Sequence, residues 1–420
     1  MITGAQRVQM ALAHKPPDKV PIDFGGTFVT GIHVSLVGAL RRHYCLEPGP
    51  VKVLDPGQML GEVTDDLRAA MGIDTQCVPR LMTRFGFPNT DWKVWRMYDG
   101  VEVLVPGQFN FTLEENGDTL LYPQGDTSAP ASARMPKGGY FFDAIIRQPP
   151  ISEELLDPKD NLEDFAPVSP SELDHFESEA KRAAATGRAV VATFGGTSLG
   201  DIYFVPGLGL KYPRGIRDVT EWYVSIHARR DYIHRVFAGQ CEIALANLAK
   251  IAARVGDLVD VVYICGADFG TQKSSFCSVE TFRELWMPYY QRLTSWIHKN
   301  TRWKVFKHSC GAVEKFIPSF IECGFDILNP VQCSAAGMDP ERLKEAYGDT
   351  LVFWGGGVDT QQTLPFETPQ QVREQVLRRC EILAPGGGFV FNAIHNLQAH
   401  TPVENVVAMI DAVHEFNGRT

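Results

Sequence analysis

The chain has 420 residues, 44% hydrophobic and 21% charged, a globular composition long enough for one large core. Its net charge of -10, with no sustained basic stripe, argues against a nucleic-acid partner. No run approaches the ~18 apolar residues of a membrane span. The opening MITGAQRVQMALA is too polar for a signal core, and nine scattered cysteines fit reduced thiols in a cytoplasm.

The first expected strand is DKVPIDFGG, ending in a turn at Gly25 and Gly26. Helical patterns follow in HVSLVGALRRHY and GQMLGEVTDDLRAAMG, then a short strand, IDTQCVPR. Residues 92–150 change character. WKVWRMYDGVEVLVPG and FTLEENGDTLLYPQGD read as hairpins, the second turning at Asn116-Gly117. This block is a β-hairpin insertion that either shapes a pocket or decorates the surface.

Beyond the helix around Glu172 to Ala185 the rhythm is regular: a strand, then a helix, repeated to the end. Strand starts fall near Val20, Asp74, Ala189, Val261, Lys304, Phe325, Leu351 and Phe389. Several of these runs are apolar at nearly every position, as strands covered on both faces are. Eight strand–helix units predict a distorted (β/α)8 TIM barrel, one domain over 1–420, with N-terminal helices and the hairpin insertion. A doubly wound sheet is the alternative, but no G-x-G-x-x-G follows the first strand. Thr368-Pro369 and Thr401-Pro402 mark helix starts, each a capping residue before a first-turn proline.

In such a barrel the chemistry lies on loops at the carboxyl ends of strands. The residues expected there are Gly25 and Gly26, Thr197 and Asp201, Asp268, His308 and Cys310, Asn329 and Gln332, Asp359, and Asn392 and His395. His308 and Cys310, in WKVFKHSCG, are two apart, so on extended backbone they share a face. Imidazole and thiolate are both zinc donors, but H-x-C alone is a weak signal. His395, at the end of the eighth strand, is the candidate third ligand, with Cys333 and Asp268 as further candidates. Asp268 and Asp359 each end an apolar strand beside glycine, where a carboxylate binds either a ligand or its own loop.

The order of segments resembles the uroporphyrinogen decarboxylase superfamily over most of the chain. The features that carry it are TFGGTS, GADFGTQKSSFCSVETFRELWMPYYQRL, HSCG, GFDILNPVQ, GGGVDTQQTLP and FNAIHNLQAHTPVENV. Two chemistries share that fold. The decarboxylases bind an octa-acidic tetrapyrrole with arginines near the first strand; here the corresponding DFGGTFVTGIHVS has none. The cobalamin-dependent methyltransferases place zinc on H-x-C and a later cysteine. His308 and Cys310 match, and His395 stands where the late cysteine would be.

The chain looks most like the ether-demethylating members of that branch. Some of them carry a spaced acidic residue, Glu and His, which Asp359, Glu374 and His395 match, although Glu374 falls on an outward-facing helix. The resemblance implies a methyltransferase acting on a small-molecule methyl donor, with zinc on His308, Cys310 and His395. Asp268, Asn329 and Gln332 would be catalytic or orienting, and Asp359 and Asn392 would lie near the cofactor. It also implies cobalamin carried by a partner corrinoid protein, because no D-x-H-x-x-G segment is present. A decarboxylase-like lyase and a methyl-corrinoid:thiol methyltransferase are the alternatives. The sequence allows a homodimer without requiring one.

Overall fold

The computed structural model describes residues 2–194 and 199–419, so Thr197 lies outside the described residues. Seven parallel strands form one curled sheet: β1 (Thr75–Val78), β2 (Ala189–Ala192), β3 (Val261–Cys265), β4 (Lys304–His308), β5 (Ile327–Asn329), β6 (Val352–Trp354) and β7 (Phe389–Val390). They are hydrogen-bonded in strict succession from β1 to β7. This is the distorted (β/α)8 architecture expected from the sequence.

The eighth position is occupied by the extended segment at Val20–Phe24 rather than by a regular strand. Only Ile22 bridges to Phe391 in parallel fashion. Its neighbours keep the seam closed: Asp23 N–H donates to Phe391 O at 2.9 Å, and Asp74 N–H to Ile22 O at 2.8 Å. Pro21 has no N–H to give, and the Ile22 N–H goes to the Asp74 carboxylate at 3.0 Å, so a ladder cannot extend.

The barrel is filled rather than hollow. Val191, Val261, Tyr263, Phe306, Ile327, Val352, Trp354 and Val390 form the inner cluster. Val8, Ala11 and Leu12 of the first helix, Gly4–Leu12, belong to the same cluster. That helix plugs the end where strands begin: Ala5 N–H bonds Gly187 O, and Gly388 N–H bonds Ala11 O. Successive side chains alternate, so Val262 and Ile264 join the outer core under the helices.

The long helical stretch expected from Asp218 breaks at Arg229 into Val219–Ala228 and Arg230–Val255. By length and composition the second is apolar enough to cross a membrane, although the sequence reading found no such run. Its Ile233, Val236, Phe237, Leu248 and Ile251 are core residues here.

Both expected hairpins form, Lys93–Arg96 with Glu102–Val105 and Phe111–Leu113 with Thr119–Leu121. The β-structure begins earlier than the change in composition. Val51–Asp55 pairs in parallel with Glu102–Val105, and Leu60–Gly61 folds back on Val51–Asp55. The stretch read as one helix from Gly57 therefore keeps helix only over Asp65–Met71.

Candidate metal centre

Strand β4 delivers its side chains alternately to the two layers. Phe306 enters the barrel interior and His308 continues that face at the mouth, whereas Lys307 turns into the helix layer. Buried completely, the Lys307 ammonium lies 5.1 Å from the Phe269 ring and 5.6 Å from that of Phe320. It donates to Ala267 O at 2.8 Å and to His308 O. One cation thereby ties the loop after β3 to the end of β4.

These two loops also touch through glycines. Gly311 has φ +89°, and a Cβ there would meet the backbone of Gly270. Ala312 N–H donates to Thr271 O at 2.8 Å, Phe269 N–H to Ser309 Oγ at 3.0 Å, and Cys310 N–H to Asp268 Oδ1 at 2.7 Å. Gln332, beyond β5, accepts the Gly311 N–H at 2.6 Å. The N–H groups of Cys310 and Gly311 and the hydroxyl of Ser309 are thus all held.

The consequence is a cluster. One donor atom each from His308, Cys310 and His395 lies within 4.8 Å of the other two. His308 Nε2 and Cys310 Sγ are 3.3 Å apart, and donors around a tetrahedral zinc stand ~3.3–3.8 Å apart. The His308 and His395 ring centroids are 5.5 Å apart. Asp268 Oδ1 is 3.8 Å from His308 Nε2, close enough to approach a fourth position.

Asn329 decides how His308 presents itself. The Asn329 amide donates to Trp354 O at 2.8 Å, which leaves its Oδ1 against His308 Nδ1 at 2.6 Å. An amide oxygen only accepts, so Nδ1 carries the proton and the Nε2 lone pair faces Cys310. Burial pulls both imidazoles down to about 4; the Asn329 bond opposes this for His308, and the His308 charge adds to it for His395. Burial and the neighbouring Asp268 push the Cys310 thiol up, and burial raises Asp268. Two neutral imidazoles beside a thiol that only a cation would ionise form a donor set that fits zinc.

The other expected residues take different places. Asp359 accepts the N–H groups of Gln361 and Gln362, and Asn392 donates to Asp23 O across the seam. Cys333 donates to Val331 O at 3.3 Å, outside the triad. Glu374 is exposed on the helix Pro369–Leu383, where Gln370 donates to it.

A cavity of about 400 Å³ is lined by Gly25 to Phe28, Asp55, Arg80, Arg84, Thr193 and Tyr203, among others. None of the three donors lines it, and neither does any residue of 92–150. The sheet formed by Val51–Asp55 and Leu60–Gly61 contributes Leu54–Pro56, Leu60 and Gly61 to its wall. Asp201, noted in the sequence only as a strand-end residue, is buried here and raised to about 6. Burial is the main cause, opposed by the Tyr203 N–H and reinforced by Asp268. Arg80 was not singled out, because a lone arginine two residues past a short strand carries no pattern.

Fold and site together define a (β/α)8 barrel with a candidate metal centre at the carboxyl ends of its strands. Residues 215–416, which include all three donors, match the family described as Uroporphyrinogen decarboxylase (URO-D). The chain is 26% identical over 212 residues to a uroporphyrinogen decarboxylase of Methylobacillus flagellatus, covering 49% of this chain and 54% of that one. Against that of Psychromonas ingrahamii it is 30% identical over 89 residues, 20% of this chain and 24% of the relative. The chain thus spans between about a quarter and about half of the length of these relatives. A methyltransferase from Methanosarcina mazei shares the fold, with a TM-score of 0.56 and 14% identity over 99% of both chains. The sequence matches thus point to the URO-D family over part of the chain, and the structural match shows a shared fold.

Proposed function

We propose that this protein is a corrinoid-dependent methyltransferase that takes a methyl group from a methylated small molecule, an aryl methyl ether, to cob(I)alamin on a partner corrinoid protein. The observation that carries the reading is the convergence of His308, Cys310 and His395 within 4.8 Å at the barrel mouth. In the reaction the methyl–oxygen bond breaks, a cobalt–carbon bond forms, and the aryl oxygen leaves as phenolate. Phenoxide is a poor leaving group, so charge at that oxygen is what a catalyst must stabilise. Zinc held by His308, Cys310 and His395 would supply Lewis-acid stabilisation there.

The chain's own residues prepare that position. Asn329 fixes the His308 tautomer, Asp268 and Gln332 fix the Cys310 loop, and Lys307 locks the two loops together. Such supporting contacts set ligand orientation and basicity.

Decarboxylation of an octa-acidic tetrapyrrole is the competing reaction. The segment Gly25–Phe28 that lines the cavity brings no arginine; of the four arginines in its wall Arg68 is bound to backbone carbonyls, Arg84 donates to Tyr203 O and Arg182 pairs with Glu179, which leaves Arg80 alone to face eight carboxylates. The test is metal analysis followed by incubation with cob(I)alamin and a panel of methoxyarenes. We expect about one zinc per chain and formation of methylcobalamin. A protein with well under ~0.5 equivalents of zinc, or no methylcobalamin from any methoxyarene, sinks this reading; methylation of a thiol from methylcobalamin instead would establish the reverse direction.

A further inference from the structure

The inserted β-structure ends in a strand that lacks a neighbour. Its second sheet has the antiparallel order Phe111–Leu113, Thr119–Leu121, Ala133–Met135 and Asp143–Ala144. Phe111–Leu113 is one edge, and every residue from Asn110 to Asn116 is exposed. Native sheets commonly blunt such an edge with a proline, an inward charge or a covering loop. This strand carries neither proline nor charge, and all three of its residues face solvent.

The ladder decides which of its backbone groups are free. Glu114 N–H donates to Asp118 O at 2.9 Å, so Thr112 and Glu114 turn their backbone groups toward Thr119–Leu121. By the alternation of an antiparallel pair, Phe111 and Leu113 turn theirs to the open side. The side chains add a second signal. Along the rows Phe111–Leu121–Ala133 and Leu113–Thr119–Met135, every member but the first is buried. Leu113 is 65% exposed and Phe111 37%, although Phe111 lies 6.1 Å from the rings of both Trp95 and Phe109. The apolar face of the sheet therefore runs out from under its cover at this strand.

The charges at the two ends of the strand are complementary. Lys93 Nζ donates to Asn110 Oδ1 at 3.1 Å, and among the described residues it has no carboxylate within ion-pair distance. Glu114, at the other end, has no cation there either. Opposite charges at opposite ends are what an antiparallel copy of the same strand brings together.

We propose that this edge is the interface of a homodimer, in which Phe111–Leu113 of two copies pair antiparallel about a twofold axis at Thr112. This register uses every free backbone group of the strand. Phe111 stands opposite the partner's Leu113 and exchanges both N–H···O bonds with it, and the symmetric pair does the same. The same pairs bring the exposed apolar side chains into contact. The partner's Glu114 comes opposite Asn110, with Cβ atoms about 5 Å apart, and so within reach of Lys93. Two sheets thereby become one across the axis. The interface stands whichever reaction the barrel performs.

The test is sedimentation equilibrium of the full chain at micromolar concentration, where we expect the wild type to dimerise. Leu113→Pro removes an outward N–H, leaves the inner ladder whole and should be monomeric. Glu114→Lys and Lys93→Glu should each weaken the dimer roughly tenfold, and the double variant should return to within about threefold of the wild type. Thr112→Cys sets two thiols across the axis and should form a disulfide-linked dimer on mild oxidation, which Glu114→Cys does not. The wild type, with Cys45 exposed, is the blank for that readout, which also serves if Leu113→Pro does not fold. A dimer left intact by Leu113→Pro, no cross-link through Thr112→Cys above the blank, or a double charge variant no tighter than the single ones overturns the proposal. A monomeric wild type overturns it too and leaves the edge to a strand of another protein.

Discussion

Asn329 Oδ1 stands 2.6 Å from His308 Nδ1 while its own amide is held by Trp354 O at 2.8 Å. The orientation of one ligand is therefore set two strands away, at the end of β6. Asn329→Leu removes the acceptor and frees the ring to turn, and zinc affinity should fall roughly ten- to a hundredfold. Asn329→Asp keeps an acceptor and should hold zinc at least as well. Competition with a chromophoric chelator reads both; equal affinities across the three proteins would show that the contact does not orient the ligand.

Gly311→Ala addresses the loop itself. Alanine is strained at φ +89°, and its Cβ would run into the Gly270 backbone. The backbone strain alone costs about 1–3 kcal/mol, with the overlap adding to it. We expect a lower denaturant midpoint with an unchanged slope, together with weaker zinc binding. A midpoint within error of the wild type would mean that the two loops can part at little cost.

Lys307→Met removes a buried charge but strands two carbonyls, those of Ala267 and His308. Leaving buried acceptors without donors costs about 1–3 kcal/mol each, which outweighs the relief of the ammonium's burial when aromatic rings already accommodate it. The variant should unfold at lower denaturant concentration and bind zinc less tightly. An unchanged or raised midpoint would show that the lysine is not the clamp between the loops.

Acid should weaken the metal-free protein in a particular window. His308 and His395 are held at about 4 in the fold against 6.5 ordinarily, so the unfolded chain binds protons that the folded chain refuses. Their contribution is whole above pH 6.5 and is lost as pH falls toward 4. Asp201 works the other way. Raised from 3.8 to about 6, its contribution is whole below pH 3.8 and is lost as pH rises through 6. Asp201→Asn removes that compensation, so its melting temperature should fall more steeply than the wild type's between pH 6 and 4. Differential scanning after chelation measures this; a shallower fall in the variant would contradict the assignment.

Apolar rhythm made most of this architecture legible. Strands such as Val261–Cys265 are buried at every position and announce themselves as runs, and the helices between them start at recognisable caps such as Thr368-Pro369. The donors His308 and Cys310 were legible for the same reason, since their spacing sits on a strand end. Two kinds of feature were not. The seam at Ile22 looks like a strand in sequence, but Pro21 and the side chain of Asp74 consume the bonds that a ladder needs. The open side of Phe111–Leu113 depends on the strand order of the inserted sheet, which a hairpin pattern by itself does not give.

The closure of the barrel gives the metal centre a place in time as well as in space. His308 and Cys310 are set once β3, β4 and β5 have paired, but His395 follows β7, whose neighbour across the seam is the segment around Ile22 near the other end of the chain. During synthesis the amino-terminal partner waits for a strand that emerges last. Until that long-range pairing forms, a nascent chain offers only a two-donor site. If the three donors hold a metal, tight capture would report that the ring has closed, and the metal would favour the final step of folding and not the first.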